Sequence, residues 1–295
     1  MRGDVPDSVI CGAAPPSLLI MPTSTPLSVP AAPSGAGGVA TSLLDAAHAA
    51  LLRERGFVIV RGAVDPARCD ALRDQAQAQL AQAAEPLEYE ADVAYPGAPA
   101  SRHAAGGATV RRLLDAYGRG GALARWAVDP AVAATLRDYF GEPAVLSRAH
   151  HNCVMTKHPR YGSLTGWHRD IRYWSFARET LISTWLALGA EHADNGGLWL
   201  VPGSHVMDLA ASRFDAAQFL REDLPENAAL IATAQAPRLA AGDVLFFHCR
   251  TLHAAGRNQS AQVKLSVVHT YHAASVRPVA GTRSAAKPGV PMDTA

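Results

Sequence analysis

From Val145 onward the chain changes character, and that change limits its possible folds more than any other feature. The segments "VLSRAHHNCVMTK", "LISTWLALGA", "GLWLVPGSH", "DVLFFHC" and "KLSVVHTYH" are short, rich in β-branched and aromatic residues, and bounded by Gly, Pro, Asn or Asp. Those are strand signals. Short strands joined by loops of unequal length predict an antiparallel double sheet or barrel with helices packed outside it.

Upstream the pattern is mostly helical. "SLLDAAHAALLRERG" carries leucines at 43, 44, 51 and 52, and Gly56 is a natural stop. "FVIVRG" reads as a short buried strand. "DPARCDALRDQAQAQLAQA" opens with an Asp65 cap and Pro66 in the first turn, and its apolar positions 69, 72, 76 and 80 share a face. Residues 85–108 read as loop, and "VRRLLDAY" and "DPAVAATLRDYFG" as helical. Residues 1–41, with "PTSTPLSVPAAPSGAGG", have the Pro, Ser, Gly and Ala content of a disordered tail. Met21 opens a plausible shorter product. A single domain is therefore expected over 42–280, helical in 42–144 and sheet-forming in 145–280, with a flexible tail over 281–295.

Composition excludes several classes of partner. The 295 residues suffice for a large core. Lys plus Arg number 27 against 26 Asp plus Glu, a net charge of +1, which argues against nucleic acid or an anionic membrane as partner. Any recognition of charge must be local, and a small-molecule substrate is expected. Cys11, Cys69, Cys153 and Cys249 lack CxxC spacing, so neither finger-type zinc nor a disulfide framework is expected. Free thiols suit a reducing cytosol. No apolar run approaches the roughly 18 residues of a membrane helix, and a cytoplasmic location is the default. There is no GxSxG or HExxH, and "GRGGAL" is too irregular to cradle a dinucleotide.

The stretch "TGWHRDIRYW" sets His168 and Asp170 two residues apart between Trp167 and Trp174. On a strand, residues i and i+2 project to one face, about 6–7 Å apart. Imidazole and carboxylate can thus lean towards one point and suit a first-row metal. A third ligand must come from a later strand end, where "FFHCRTLHAAGRNQS" offers His248 and His253. His253, at the polar turn, is the better placed; His248 belongs in a wall. The trio would be the two-histidine, one-carboxylate facial triad of non-haem Fe(II) oxygenases. The competing explanation is a hydrogen-bonded His168–Asp170 pair steadying a loop. The other histidines need no special role: His48 and His192 as solvated, His150, His151, His158, His269 and His272 as fillers of strand faces, and His205 as fixing a turn.

The chain resembles the phytanoyl-CoA dioxygenase family of Fe(II)- and 2-oxoglutarate-dependent oxygenases. The matching pieces are "RERGFVIVRGAVDPARCDAL", "WHRDIRYW", "STWLALGAEHADNGGLWLVPGSH" and "LAAGDVLFFHCRTLHAAGRN", in the family's order. The resemblance implies a mainly β double-stranded β-helix (a cupin-like jelly roll) with flanking helices, and His168, Asp170 and His253 on iron. It also implies an anchor for the far carboxylate of 2-oxoglutarate eleven residues after the second histidine. The family usually has arginine there; this chain has Lys264, with Ser266 on the same strand face. Lysine holds a carboxylate as a point donor rather than a bidentate fork, and Arg257 is a rival anchor. Cys153, Trp185 and Arg112 match further positions around the co-substrate, although core packing accounts for Cys153 and Trp185, and an exposed helix charge for Arg112. Trp167, Tyr173, Trp174 and Phe176 are candidates for an apolar wall, and Arg169 and Arg172 for contacts to an anionic substrate.

The implied reaction consumes O2 and 2-oxoglutarate, releases succinate and CO2, and oxidises an unactivated C–H bond. Halogenating relatives lack the carboxylate ligand, so Asp170 points to hydroxylation. The alternatives are a cupin-like metalloenzyme that dispenses with 2-oxoglutarate, or a non-catalytic small-molecule binding domain. Neither the substrate nor the oligomeric state is written in the sequence.

Overall fold

A computed structural model describes residues 40–93 and 95–292. The expected N-terminal tail lies almost wholly outside them. Helix α1 (Ala46–Arg55) starts on the Asp45 cap and stops at Gly56, whose φ of 80° places it in the left-handed region. A Cβ there would lie 2.5 Å from the His205 ring, so this turn also needs the glycine for close approach. His48 is buried rather than solvated, its ring bonded to Asp45. Strand β1 (Phe57–Val60) is followed by α2 (Pro66–Ala81), which begins as expected, with Asp65 accepting from Arg68 N and burying Cys69, Leu72 and Ala76.

The stretch expected to be loop holds β2 (Leu87–Tyr89), and "VRRLL" is not helical but strand β3 (Val110–Leu114), paired with it. Tertiary pairing overrides local propensity here. Helices α3 (Gly121–Ala127) and α4 (Pro130–Phe140) complete the helical layer. Then come β4 (Ala144–Lys157), β5 (Thr165–His168), β6 (Ile182–Ala187), β7 (Leu198–Leu200), α5 (Pro225–Ile231), β8 (Val244–His248), β9 (His253–Ala255), β10 (Lys264–Ala273) and β11 (Val290–Pro291).

The strands form two antiparallel sheets. The larger runs β1-β8-β6-β10-β4-β3-β2, with β11 added beside β4; the smaller runs β5-β9-β7. Strand alternation sorts the large sheet's side chains. Phe57, Ile59, Trp185, Leu245, Phe247 and Val268 face the small sheet and pack on Leu198, Leu200 and Ala255. Val58, Val60, Leu186, Phe246, Val267 and Tyr271 face outward and pack under residues of α1–α4. The outer side of the small sheet is closed by Trp167, Trp199, Leu220 and Ile231 of α5. This is the mainly β jelly roll with flanking helices that the sequence led us to expect. Among the described residues no helix is long and apolar enough to cross a membrane.

The stretch after 281, expected as a flexible tail, is ordered up to residue 292. Ser284 bonds to His150 Nε2 (2.7 Å) and accepts from Ser175 N (2.8 Å), β11 pairs with β4, and Met292 is buried. An open sheet edge and a vacant apolar niche hold a segment whose composition alone would not order it. Met292→Ala should therefore destabilise the fold by roughly 2–3 kcal/mol in urea unfolding; no measurable loss would mean the segment is not docked.

His269 is fully buried and neither of its ring nitrogens has a hydrogen-bond partner, and burial pulls its imidazole down to about 3. Its folded pKa lies below the unfolded value near 6.5. The stability tied to the neutral ring is therefore complete above about 6.5 and is lost as pH falls towards 3. His269→Gln should flatten the loss of stability between pH 7 and pH 5 by about 1–2 kcal/mol, read from urea midpoints at the two pH values.

Candidate active site

His168 and His253 face each other across β5 and β9. Between Thr165 and His168 strand β5 takes three steps while β9 takes two, from Ala255 to His253. The extra residue is a bulge, which re-aims the side chains that follow it. It lets Thr165 and His168 both face the cavity while Trp167 turns to the outer cluster. Asp170 is not on the strand. It opens a one-turn 3-10 segment, Asp170–Tyr173, so turn geometry rather than strand alternation brings it back beside His168.

The three side chains converge. Asp170 Oδ1 lies 3.7 Å from His168 Nε2 and 3.6 Å from His253 Nε2, and the imidazole centroids are 4.3 Å apart. One ligand atom from each residue lies within 4.8 Å of the other two, and all three residues are buried. Both imidazoles have fixed tautomers: Nδ1–H of His168 donates to the Gly166 carbonyl (2.8 Å) and that of His253 to the Thr251 carbonyl (3.0 Å). Each Nε2 lone pair is thereby left for a metal. Burial and then the neighbouring His253 pull His168 down to about 4, and burial also lowers His253. Burial favours the acid form of Asp170, but His151 and His253 outweigh it and hold the carboxyl well below its usual range. Two neutral imidazoles beside a carboxylate are the protonation states a divalent ion requires. Asp170 Oδ2, buried without a partner, is an open lone-pair site. The residues present therefore fit a metal ion.

Sequence reasoning passed over His151, which lies on the inner face of β4. Its Nε2–H donates to Asp170 Oδ1 at 3.0 Å. Burial alone would depress this ring, but the Asp170 charge and hydrogen bond outweigh it and raise it to about 9. Parity was the available signal: His151, Cys153, Met155 and Lys157 alternate along one strand, so they share a face. His248, the other candidate for third ligand, instead packs tilted against His205, whose Nε2 bonds to the Arg53 carbonyl and fixes the turn.

The triad opens into a cavity of about 670 Å³, lined also by Tyr95, Arg111, Arg112, His151, Lys157, Tyr173, Trp185 and Lys264. Of the residues expected around the co-substrate, Lys264, Trp185 and Arg112 line this cavity. Arg112 is a strand residue beside Glu88 (3.3 Å) rather than an exposed helix charge. Cys153 instead lines an adjoining cleft of about 1340 Å³. Ser266 lies behind Lys264, its Oγ 2.9 Å from the ammonium. Arg257 is exposed, lies against Gly97 and is outside the cavity wall.

Glu191, which the sequence did not single out, completes this end of the cavity. Its carboxylate accepts from Lys264 Nζ (3.1 Å), Ser266 Oγ (2.6 Å) and Trp185 Nε1 (3.0 and 3.1 Å). Lysine, serine and tryptophan thus form a carboxylate receptor, occupied here by Glu191.

The remaining aromatic and basic candidates divide. Tyr173 lines both cavities and Trp174 the larger one, whereas Trp167 and Phe176 pack elsewhere. Arg169 donates to the Ser204 and Met207 carbonyls, and Arg172 lies over the Phe219 ring and donates to the Ala217 carbonyl. Neither arginine faces the cavities.

The family model described as phytanoyl-CoA dioxygenase matches residues 52–266. Among solved structures the chain is similar to the non-heme alpha ketoglutarate dependent epimerase SnoN from nogalamycin biosynthesis, with 24% identity, 79% of this chain and 82% of that chain covered, and a TM-score of 0.62. It is similar to the carbocyclase SnoK from the same biosynthesis (21%, 87% and 97%, TM-score 0.65). A third similar structure is EctD from S. alaskensis with 2-oxoglutarate and 5-hydroxyectoine (20%, 89% and 89%, TM-score 0.67). No curated protein matches in sequence. At these identities the structural likeness establishes the fold.

A metal that binds only the folded site stabilises it by mass action. Mn(II), inert to dioxygen here, should raise Tm by several degrees at about a hundredfold excess over Kd. His253→Ala and Asp170→Ala should abolish that shift. An unchanged shift in either variant would place the metal elsewhere.

Proposed function

The chain belongs to the phytanoyl-CoA dioxygenase family, and on that premise we propose that it is an Fe(II)- and 2-oxoglutarate-dependent dioxygenase. In this reading it hydroxylates an unactivated C–H bond of a small molecule. The observation that carries the reading is the convergence of His168, Asp170 and His253, buried and in metal-binding protonation states, at the floor of a cavity. The neighbours named for alpha ketoglutarate or crystallised with 2-oxoglutarate lend support.

When bound, the ion and co-substrate supply the oxidising chemistry: one atom of dioxygen goes into succinate as CO2 leaves, and the other into the substrate C–H bond. The chain's own residues do the rest. His168, His253 and Asp170 would hold the ion, and the Gly166 and Thr251 carbonyls fix both rings with Nε2 free for it. His151 fixes the Asp170 carboxylate through Oδ1. Asp170 would serve as a third protein ligand, which favours hydroxylation over halogenation. Trp185, Leu198, Phe247 and Met155 wall the cavity with apolar surface and exclude water. Tyr95 and Tyr173, hydroxyls 3.1 Å apart, stand where it meets the larger cleft, which would receive the substrate.

Adding 2-oxoglutarate anaerobically to the Fe(II)-loaded protein should produce a visible charge-transfer band, lost in His168→Ala. A metal-loaded protein without that band would point to a metalloenzyme that dispenses with 2-oxoglutarate. Under air, a screen of acyl thioesters, amino acids and secondary metabolites for succinate release should find a substrate that gains one oxygen atom. A product of unchanged mass, or one that has lost two hydrogens, would replace hydroxylation by epimerisation or ring closure.

A further inference from the structure

The donors expected to hold the far carboxylate of the co-substrate already hold one belonging to the protein. Glu191 accepts from Lys264, Ser266 and the single Trp185 N–H, which is shared between its two oxygens. Its backbone is tied in both directions to Leu239, N to O at 2.9 Å each way, so the side chain springs from a fixed strand-like position. Glu191 and Lys264 are each almost wholly buried. In such surroundings opposite charges cancel locally, and a third charge meets the sum of the pair rather than the lysine alone.

Among the described residues, Lys157 and Arg111 are already engaged. Lys157 lies directly across from Lys264 in the β4–β10 register. Its Nζ donates to the Ser163 carbonyl at 2.6 Å, and burial pulls its ammonium well below the usual lysine range. Arg111 is engaged by Glu88 (3.3 Å), Glu90 (3.4 Å) and Ser163 (2.8 Å). An incoming distal carboxylate would therefore approach a neutral ion pair whose anion repels it. An uncharged chain would meet the apolar walls of Trp185, Met155, Leu198 and Phe247 at no such cost.

We propose that Glu191 sets the co-substrate range: by occupying Lys264, Ser266 and Trp185, it relaxes the pocket's preference for a dicarboxylic 2-oxo acid and admits 2-oxo acids with uncharged chains. This inference rests on the function proposed above and specifies the ligand class of the same site.

The test compares 2-oxoglutarate with 2-oxopentanoate, which keeps the chain length and lacks the far carboxylate. Each is titrated anaerobically into Fe(II)-loaded protein, and Kd is read from the charge-transfer band and independently by calorimetry. In the wild type the two constants should differ by less than about tenfold. Glu191→Gln keeps the side chain's shape and frees the lysine charge. It should raise the preference for 2-oxoglutarate by roughly tenfold or more, the scale of a charge-assisted hydrogen bond. The double variant Glu191→Gln, Lys264→Gln removes both charges and should return the ratio to near the wild-type value.

A wild-type preference above about a hundredfold, or a ratio that stays level or falls in Glu191→Gln, would overturn the inference, since Glu191 would then be positioning Lys264 for the co-substrate. If the single variant does not fold, the double variant decides. A preference more than about tenfold below wild type would show that Lys264 serves the co-substrate despite Glu191. Bands from both acids with an unmoved ratio would sink this inference alone. No band from any 2-oxo acid on iron-loaded protein would remove the proposed function and this inference together.

Discussion

The site depends on one irregular strand pairing. In a regular β5–β9 ladder Trp167, not His168, would stand opposite His253 on the face that Thr165 shares. The extra residue in β5 breaks that parity, aims His168 at His253 and sends Trp167 to the opposite side of the sheet. This explains why aromatic and ionisable residues crowd into "TGWHRDIRYW". Trp167 anchors the outer face of the bulged strand, with its carbonyl accepting from Leu220 N. Trp174 closes the turn that carries Asp170, and its ring packs on His150 and His151. Each tryptophan holds a neighbour of the triad in place by burying apolar area on the side away from it. A ligand constellation needs such support because sub-ångström looseness is enough to spoil it.

Electrostatics in the interior follow a second rule: the arginines lining the triad cavity and Lys264 lie beside carboxylates, while Lys157 is held by the Ser163 carbonyl. Arg111 has Glu88 and Glu90, Arg112 has Glu88, and Lys264 has Glu191. The overall charge of +1 thus reflects local compensation, not a scarcity of charge. Buried pairs of this kind add little net stability, since desolvation offsets their attraction. Their effect is to fix long side chains in one geometry and set the local potential. The triad is the exception. Among the described residues its carboxylate accepts from His151, and Oδ2 has no partner, leaving negative potential where a divalent ion would sit.

Much of the fold was legible because it follows from periodicity and capping. The strands after Val145, the Asp65 cap with Pro66, and the Gly56 stop all depend on local chemistry that the sequence displays. The triad was legible for a different reason. Imidazoles and a carboxylate at strand ends have few structural uses, so their spacing stood out even though the mechanism that gathers them, a bulge and a 3-10 turn, was hidden. Local signals failed where long-range contacts decide. "VRRLL" has no helix-excluding residue, and only its pairing with β2 and β4 makes it a strand. The Pro- and Gly-rich stretch after 281 is ordered by a sheet edge that the sequence cannot advertise. Glu191 lies in a polar loop, 73 residues from the lysine it neutralises. Nothing in its surroundings separates it from a solvated loop acid.

The architecture also divides labour between rigid and variable parts. His168, Trp185, His253, Lys264 and Ser266 stand on β5, β6, β9 and β10, and Asp170 on the 3-10 turn that follows β5. The larger cleft is bounded by Tyr95 in the segment after β2, by Arg148 and His150 early in β4, and by Arg283 and Lys287 in the C-terminal strap. Those walls belong to connections and an edge, where substitutions cost the core little. Among the described residues, Tyr95, Arg112, His151 and Tyr173 border both spaces. A scaffold built this way can hold one oxidising centre constant while its outer walls change what is oxidised.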